Sequence, residues 1–427
     1  MSVRGFKSLI EETPIELRPL TILAGSNSSG KSSVMQPLLL LKQTLDAGYD
    51  PGPLKIDGPN AEFTAADQFF SRREVRRSSA TSELAIGVVA GEESVCSVFK
   101  RAGKGPLSVV EMQGVSEGGA YVLREGMSSD ELLSSVPGKW LDLYGLPGRR
   151  RARMRPELRR NRCFFDLVIT QEVEGAPLLF PPIALSQSVV RLIRDVIHIP
   201  GLRGNPERLY PVTAVGPAYP GQFQTYVASI IAQWEASGEG ARVHALGDDL
   251  RRMGLSWRVR AVPVSDTQVE IQVGRLPQAK QGGAWDLVSI ADVGFGVSQV
   301  LPLLVALRAA RPGQLVYVEQ PEIHLHPRAQ VALAQIIGEA VARGVRVTME
   351  THSDLILLAI QTFVAQDKMD PDQVLLHWFS RDDMGSTHVS TAEVDPSGSF
   401  GEWPEDFGDV QLAAQDDYLT AAEPKLA

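Results

Sequence analysis

Gly25-Ser26-Asn27-Ser28-Ser29-Gly30-Lys31-Ser32 fits the pattern G-x-x-x-x-G-K-[ST], and its flanks fit as well. The apolar run Leu20-Thr21-Ile22-Leu23-Ala24 enters it as a buried strand, and a helical stretch over residues 32–45 leaves it. In that setting the glycines let backbone N–H groups turn inward around phosphates, and the helix N-terminus adds partial positive charge. Lys31 then reaches the β- and γ-phosphates and the Ser32 hydroxyl can ligate Mg²⁺. Strand, loop and helix together predict nucleoside-triphosphate binding, with residues 25–33, Ser33 included, as the candidate phosphate cradle.

Working outward, residues 1–25 read as two short strands around a turn. Pro37 falls inside the helix after the loop, where it removes a backbone hydrogen bond and predicts a kink. Glycine and proline make 46–60 a loop. Alternating stretches at 83–90, 95–100, 107–113 and 120–124 predict an antiparallel sheet. Residues 128–245 carry more helical pattern, broken by Pro and Gly, and are expected to be a mainly helical insertion or arm. Two further strand-like runs lie at 256–262 and 267–273. The C-terminal part alternates: helix 297–309, strand 314–319, helix 327–342, strand 345–350, helix 354–365, strand 374–379. Such alternation predicts a largely parallel sheet covered by helices. The fold class expected is α/β, in three parts: an N-terminal lobe 1–127, the insertion 128–245 and a C-terminal lobe 246–427.

A chain of 427 residues exceeds one ordinary compact core. Its 42 basic and 51 acidic residues give a net charge of −9, which argues against a uniformly basic nucleic-acid coat while leaving room for a local patch. Cys96 and Cys163, the only cysteines, lack metal-ligand spacing and fit a reducing compartment. No signal-peptide core opens the chain, and the aliphatic run at 38–41 is far too short to span a bilayer. A cytoplasmic location and no membrane partner are the expectations.

The strand at 314–319 ends in Glu319 and is followed by Gln320-Pro321-Glu322. In phosphate-loop ATPases an acid so placed supports Mg²⁺. Thr351-His352-Ser353-Asp354 follows the next strand, at the edge where open α/β sheets hold ligands, which makes His352 a candidate γ-phosphate sensor. Asp292-Val293-Gly294-Phe295-Gly296-Val297-Ser298-Gln299 leads into an apolar helix and offers either a second anion-binding helix terminus or a tight turn into a core helix.

In this order the elements resemble the ABC-type ATPases of the structural-maintenance-of-chromosomes, RecF and OLD branch. The resemblance is greatest to the bacterial "AAA family ATPase" proteins of that branch often linked to phage defence. It rests on Gly5-Phe6-Lys7-Ser8, residues 25–33, residues 292–302, the run from Val316 to Pro327, and 351–354, with weaker likeness at 201–208 and 403–407. It implies an ATP-gated homodimer, or a higher even oligomer, with ATP between the phosphate loop of one head and Gly294, Gly296 and Ser298 of the other. It implies Glu319 as the Walker B acid with Ser32 on the metal, Glu322 to Pro327 in a loop touching the partner head, and His352 as the switch histidine. Arg4, Arg203 and Arg208 are base-contact candidates by weak likeness, and Gln68 is a candidate Q-loop residue.

Two departures bear on rate. If Gln299 matches the last residue of the ABC signature, the signature serine falls on Gly296, so a γ-phosphate contact must come from backbone N–H groups or Ser298. Gln320 stands where such ATPases usually have the glutamate that polarises the attacking water. An amide orients water but cannot take its proton, so hydrolysis is expected to be slow, or Glu322 substitutes.

His324-Leu325-His326 invites a metal reading, yet no acid or Cys cluster completes a ligand set. Arg149, Arg150, Arg151, Arg153, Arg155, Arg159, Arg160 and Arg162, with a smaller group at Arg72, Arg73, Arg76 and Arg77, could bind DNA or RNA. The same residues would equally serve as a solvated face or dock an acidic partner. Asp370-Pro371-Asp372 has the spacing of a nuclease pair but reads as a turn with too little chain after it. No Asn-Lys-x-Asp motif supports GTP. The expectation is therefore an ATPase that senses, scaffolds or regulates a separate effector such as a nuclease, in antiphage defence or a DNA transaction. The alternatives are an ATP-binding switch with negligible hydrolysis, a DNA repair or recombination ATPase and, less in keeping with the large insertion, a transporter subunit.

Overall fold

The computed structural model describes residues 1–71, 82–103, 105–142, 154–173, 176–276, 278, 286–401 and 416–419. The chain forms two compact units that interleave in sequence. The first comprises Met1–Glu16, Ser32–Val196 and Asp382–Thr387, the second Leu17–Lys31, Ile197–Arg381 and His388–Ala427.

Among the described residues, the first unit holds a six-stranded antiparallel sheet in the order Thr13–Pro14, Ser2–Arg4, Ser82–Ala90, Glu93–Arg101, Leu107–Ser116, Gly119–Arg124. The four longer strands are those expected from alternation, since a period of two buries one face such as Leu84, Ile86 and Val88. Three buried phenylalanines close the N-terminal end, with Phe6 stacked on Phe69 at 5.8 Å and Phe63 edge-on to Phe6 at 6.1 Å. The helix Lys31–Asp46 runs without a break through Pro37.

The middle of the chain differs from the helical arm expected for 128–245. Met154–Asn161, Phe164–Val173 and Ala176–Leu179 form a three-stranded antiparallel sheet. Among the described residues the α-helices of this segment are Ser129–Ser135, Gly138–Asp142, Gln187–Asp195, Val227–Ala236 and the start of Gly240–Arg252. Alternation of Pro156 and Leu158 with Arg155, Glu157 and Arg159 is a strand pattern whose outward charges imitate a helical face.

The second unit is built on a six-stranded sheet in the order Ile197–Ile199, Leu315–Glu319, Arg346–Glu350, Leu20–Gly25, Val374–Arg381, Thr387–Glu393. The first five strands pair in parallel. Parallel neighbours need crossover connections, which the sequence supplies with the helices Phe295–Ala309, Pro327–Ala342 and Asp354–Ala365. Two of these start where caps dictate. Pro327 sits at the first helical position after His326, and the Ser353 hydroxyl accepts from the Ile356 amide at 3.1 Å. A smaller antiparallel sheet of Tyr210–Pro211, Gln268–Gly274, Val259–Ser265 and Leu287–Ser289 completes the unit.

Among the described residues of that unit, Asp249 is a buried charge held by two arginines. Asp249 is 0% exposed and accepts from Arg308 Nε at 2.5 Å and from Arg252 at 2.6 Å. Asp249→Ala strands Arg308 against the core, and breaking a buried pair in this way costs about 3–5 kcal/mol. Urea denaturation at pH 7 should show that loss in the midpoint. A shift as small as a surface pair gives would refute the structural role.

Candidate functional site

Parallel register brings three strand ends together. Glu319 lies opposite Glu350, and Glu350 lies opposite Leu23, one strand over. The C-terminal edge of the sheet thus holds the acid strand, the Thr351-His352-Ser353 segment and the phosphate loop side by side, the edge where such sheets bind ligands.

The loop is shaped by its first glycine. Gly25 has φ +139°, and a Cβ there would lie 2.2 Å from the Phe379 carbonyl oxygen, so no side chain fits. Ser28 and Gly30 are also left-handed, at +60° and +108°. The Lys31 ammonium is buried and donates to the carbonyls of Gly25 at 2.9 Å and Ser26 at 2.7 Å. Burial pushes its pKa down, against the opposing pull of Glu350 and Glu322. Lys31 and Ser32 open the helix, with Ser33 next, so their backbone amides belong to its first turn.

Glu319 is held from several sides. One carboxylate oxygen meets His198 Nε2 at 3.0 Å and the other accepts from the Gly201 amide at 3.2 Å. Burial alone would raise its pKa. The hydrogen bonds from His198, Gly201 and Tyr317 outweigh that, and the net shift is downward, which keeps the group ionised. His198 stacks on Tyr317 at 5.2 Å, and the Tyr317 hydroxyl donates to the buried Glu350.

Gln320 turns the chain with φ +43°, its amide donating to the Glu350 carbonyl at 2.8 Å. Two residues on, Glu322 accepts from the His352 amide at 2.7 Å, and burial raises its pKa. His352 is shifted downward by burial and by the nearby Lys31 charge, so its imidazole is neutral at pH 7. Lys31, Glu319, Gln320, Glu322 and His352 therefore occupy one sheet edge.

Gly294 caps the helix Phe295–Ala309, and the Ser298 hydroxyl donates back to the Phe295 carbonyl at 3.1 Å. Gly296 lies against Leu255 and the His324 carbonyl, and the half-exposed Phe295 ring meets His324 at 5.9 Å. This group belongs to the helix that flanks the loop after the acid strand. His326 caps the helix Pro327–Ala342 by accepting from the Arg328 amide at 3.3 Å, and no cluster of three His, Cys, Asp or Glu exists among the described residues. The turn reading of Asp370-Pro371-Asp372 holds, with Asp370 accepting from the Asp372 amide at 3.0 Å.

Several of the remaining candidates are engaged within the protein. Arg4 pairs with Glu83 at 2.7 Å, Arg208 with Asp292 at 2.6 Å, and Gln68 with Thr64 at 2.8 Å. Arg203 is buried and donates to the backbone carbonyls of Gln299 and Glu319, both at 2.9 Å. In the arginine stretch, Arg160 pairs with Asp50 at 2.6 Å. Arg162 donates to the carbonyls of Leu45 at 3.1 Å and Ala47 at 2.7 Å, and Arg194 joins it on Leu45 at 2.8 Å. These two arginines cap the C-terminal end of the helix Lys31–Asp46. Arg155 and Arg159 are exposed, while Arg149, Arg150, Arg151, Arg153, Arg72, Arg73, Arg76, Arg77 and residues 403–407 lie outside the described residues.

Sequence reasoning missed His198, Gly201, Tyr317 and Glu350. His198 sits between two isoleucines on a three-residue strand, inside a segment expected to be helical. Its partner is 121 residues away, a pairing no local pattern displays.

A glycine loop between a central parallel strand and a helix, with an acid-ended strand beside it, defines an α/β P-loop ATPase fold. Residues 283–359 match the family model described as "AAA domain, putative AbiEii toxin, Type IV TA system". No curated protein matches the chain. Solved structures similar to it are heads of structural-maintenance-of-chromosomes proteins. One is an SmcHead bound to the C-terminal winged-helix domain of ScpA, 11% identical over 92% of this chain and 97% of that one, with a TM-score of 0.43. Another is the head domain from Thermotoga maritima, 10% identical over 92% and 97%, TM-score 0.39. A third is the Pyrococcus furiosus head with an extended coiled coil, bound to the C-terminal domain of ScpA, 10% identical over 92% and 95%, TM-score 0.42.

Proposed function

We propose that this chain is an ATP-binding and ATP-hydrolysing head that pairs with a second copy around the nucleotide and regulates or scaffolds a separate effector. A nuclease acting in antiphage defence or a DNA transaction is the effector class we favour. The observation that carries the reading is the convergence of Lys31, Glu319, Glu322 and His352 on one edge of the parallel sheet.

The residues fit ATP and Mg²⁺. The amides of the loop and first helical turn suit phosphate oxygens, and Lys31 is a cation beside them. Ser32 and the ionised Glu319 are hard oxygen donors, the kind Mg²⁺ takes in small number alongside phosphates and water. When bound, the metal neutralises charge on the β- and γ-phosphates. Gln320 can orient a water. Glu322, whose pKa is raised by burial, is the carboxylate able to receive its proton. The neutral His352 is suited to contact the γ-phosphate. Gly294, Gly296 and Ser298, at an exposed helix entrance, suit the nucleotide of a second copy.

Steady-state ATPase of wild type beside Lys31→Ala tests the enzyme reading, and equal turnover in both would sink it. Sizing chromatography with ATP, ADP and no nucleotide tests pairing. A second reading, an ATP-binding switch with negligible hydrolysis, is favoured by the amide of Gln320 in the position after the acid. ATP-dependent dimers without turnover would select it. A DNA repair or recombination role draws support, among the described residues, from the exposed Arg155 and Arg159, and DNA stimulation of turnover would be its sign. Among the described residues no helix is long and apolar enough to cross a membrane. We favour the cytoplasm as the place of action.

A further inference from the structure

The segment after the edge strand Ile197–Ile199 wraps the end of the acid strand. His198 and the Gly201 amide hold the two carboxylate oxygens of Glu319. Two residues on, Arg203 holds its main chain. One guanidinium nitrogen donates to the Glu319 carbonyl at 2.9 Å, and the other donates to the Gln299 carbonyl on the helix Phe295–Ala309, also at 2.9 Å. The Gln299 amide returns the contact, donating to the Gly204 carbonyl at 2.8 Å. Arg203 is 8% exposed, whereas its neighbour Leu202 is 89% exposed, so a short loop drives one long cation inward past a side chain left in solvent.

A guanidinium is a planar fork that bridges two acceptors in fixed geometry, which an ammonium cannot do. Burying a cation is unfavourable unless its bonds are well made. Arg203 has two backbone carbonyls as partners and no carboxylate in contact, with Glu319 and Glu322 near enough to act only through their field. Such an arrangement has a use if the two carbonyls must keep a constant separation.

We infer that Arg203 is a positioning residue that locks the acid end of strand Leu315–Glu319 to the helix Phe295–Ala309. A shift of the helix entrance at Gly294 then moves the Glu319 carboxylate, and the metal-supporting acid is coupled to the surface proposed to meet a second copy. The inference rests on the nucleotide reading above.

The test is binding of a fluorescent ATP analogue to the full chain, in Mg²⁺ and in EDTA. Wild type should bind more tightly in Mg²⁺. Arg203→Lys keeps the charge and loses the fork. It should retain EDTA affinity within twofold while the Mg²⁺-dependent tightening falls at least fivefold. Gln299→Leu leaves Glu319 untouched and should reduce the tightening in the same direction. Gln299→Leu keeps the main-chain carbonyl that Arg203 holds and removes only the bond to Gly204, so the Arg203→Met/Gln299→Leu double variant, which loses both ties, should lose at least as much of the tightening as Arg203→Met. Wild-type tightening in Arg203→Lys, or in the double variant, would overturn the inference. If Arg203→Met does not fold, Arg203→Lys and Gln299→Leu decide the matter. A wild-type chain that binds no nucleotide sinks the ATP reading itself, a result distinct from variants that match wild type.

Discussion

Lys31→Ala should bind ATP roughly 10–150-fold more weakly, the equivalent of about 1.5–3 kcal/mol for a hydrogen bond to a charged group. At saturating nucleotide, turnover should fall further, by roughly 10²–10³-fold, the usual loss when a preorganised donor to developing charge is removed. Folding should not suffer. Burial lowers the Lys31 pKa in the folded state, so the charged form opposes folding below that pKa, and the opposition fades as pH rises through it. Alanine removes a group that is a liability to the fold and an asset to the site. Calorimetric titration with ATP beside a thermal melt distinguishes this from general damage. A variant that loses binding together with several degrees of melting temperature would count against the specific role.

Glu322→Gln should lower turnover by roughly 10²–10⁴-fold, the range for a positioned general base. ATP affinity should change little, because the amide still accepts from the His352 backbone. The pH dependence gives a second signature. Burial raises the folded-state pKa of Glu322. Its protonated form therefore favours folding below the unfolded pKa, and that contribution is lost as pH rises through the folded value. The glutamine variant escapes the loss and should melt no lower than wild type at pH 8, with a flatter stability profile above pH 4. Gln320→Glu in the same background should restore part of the rate if the position after Glu319 can host a base. Full wild-type turnover in Glu322→Gln would remove Glu322 from the chemistry.

Much of the second unit was legible because its signals are local. Pro327 after His326, and Ser353 before Asp354, set helix starts that the structure repeats residue for residue. The glycine pattern of residues 25–30 fixed the loop before any neighbour was known. The antiparallel strands of the first unit were legible through their period-two burial. The sheet at 154–179 was not, since runs of arginine on its outward face obscured the inward Leu158, Leu167 and Ile169. Within the site, the acid, the glutamine after it and His352 could be named because they end strands. His198, Tyr317, Glu350 and Arg203 could not, because each acquires meaning only from a partner on another strand or helix.

The helix Lys31–Asp46 spans 16 residues, about 24 Å end to end. Its first turn faces the loop and its last carbonyls face Arg162 and Arg194. The negative pole of the helix is thereby quenched by two fixed cations, while the positive pole stays open toward anions. The phosphate loop works in effect as one terminal of a polarised rod whose other terminal is earthed more than a hundred residues downstream.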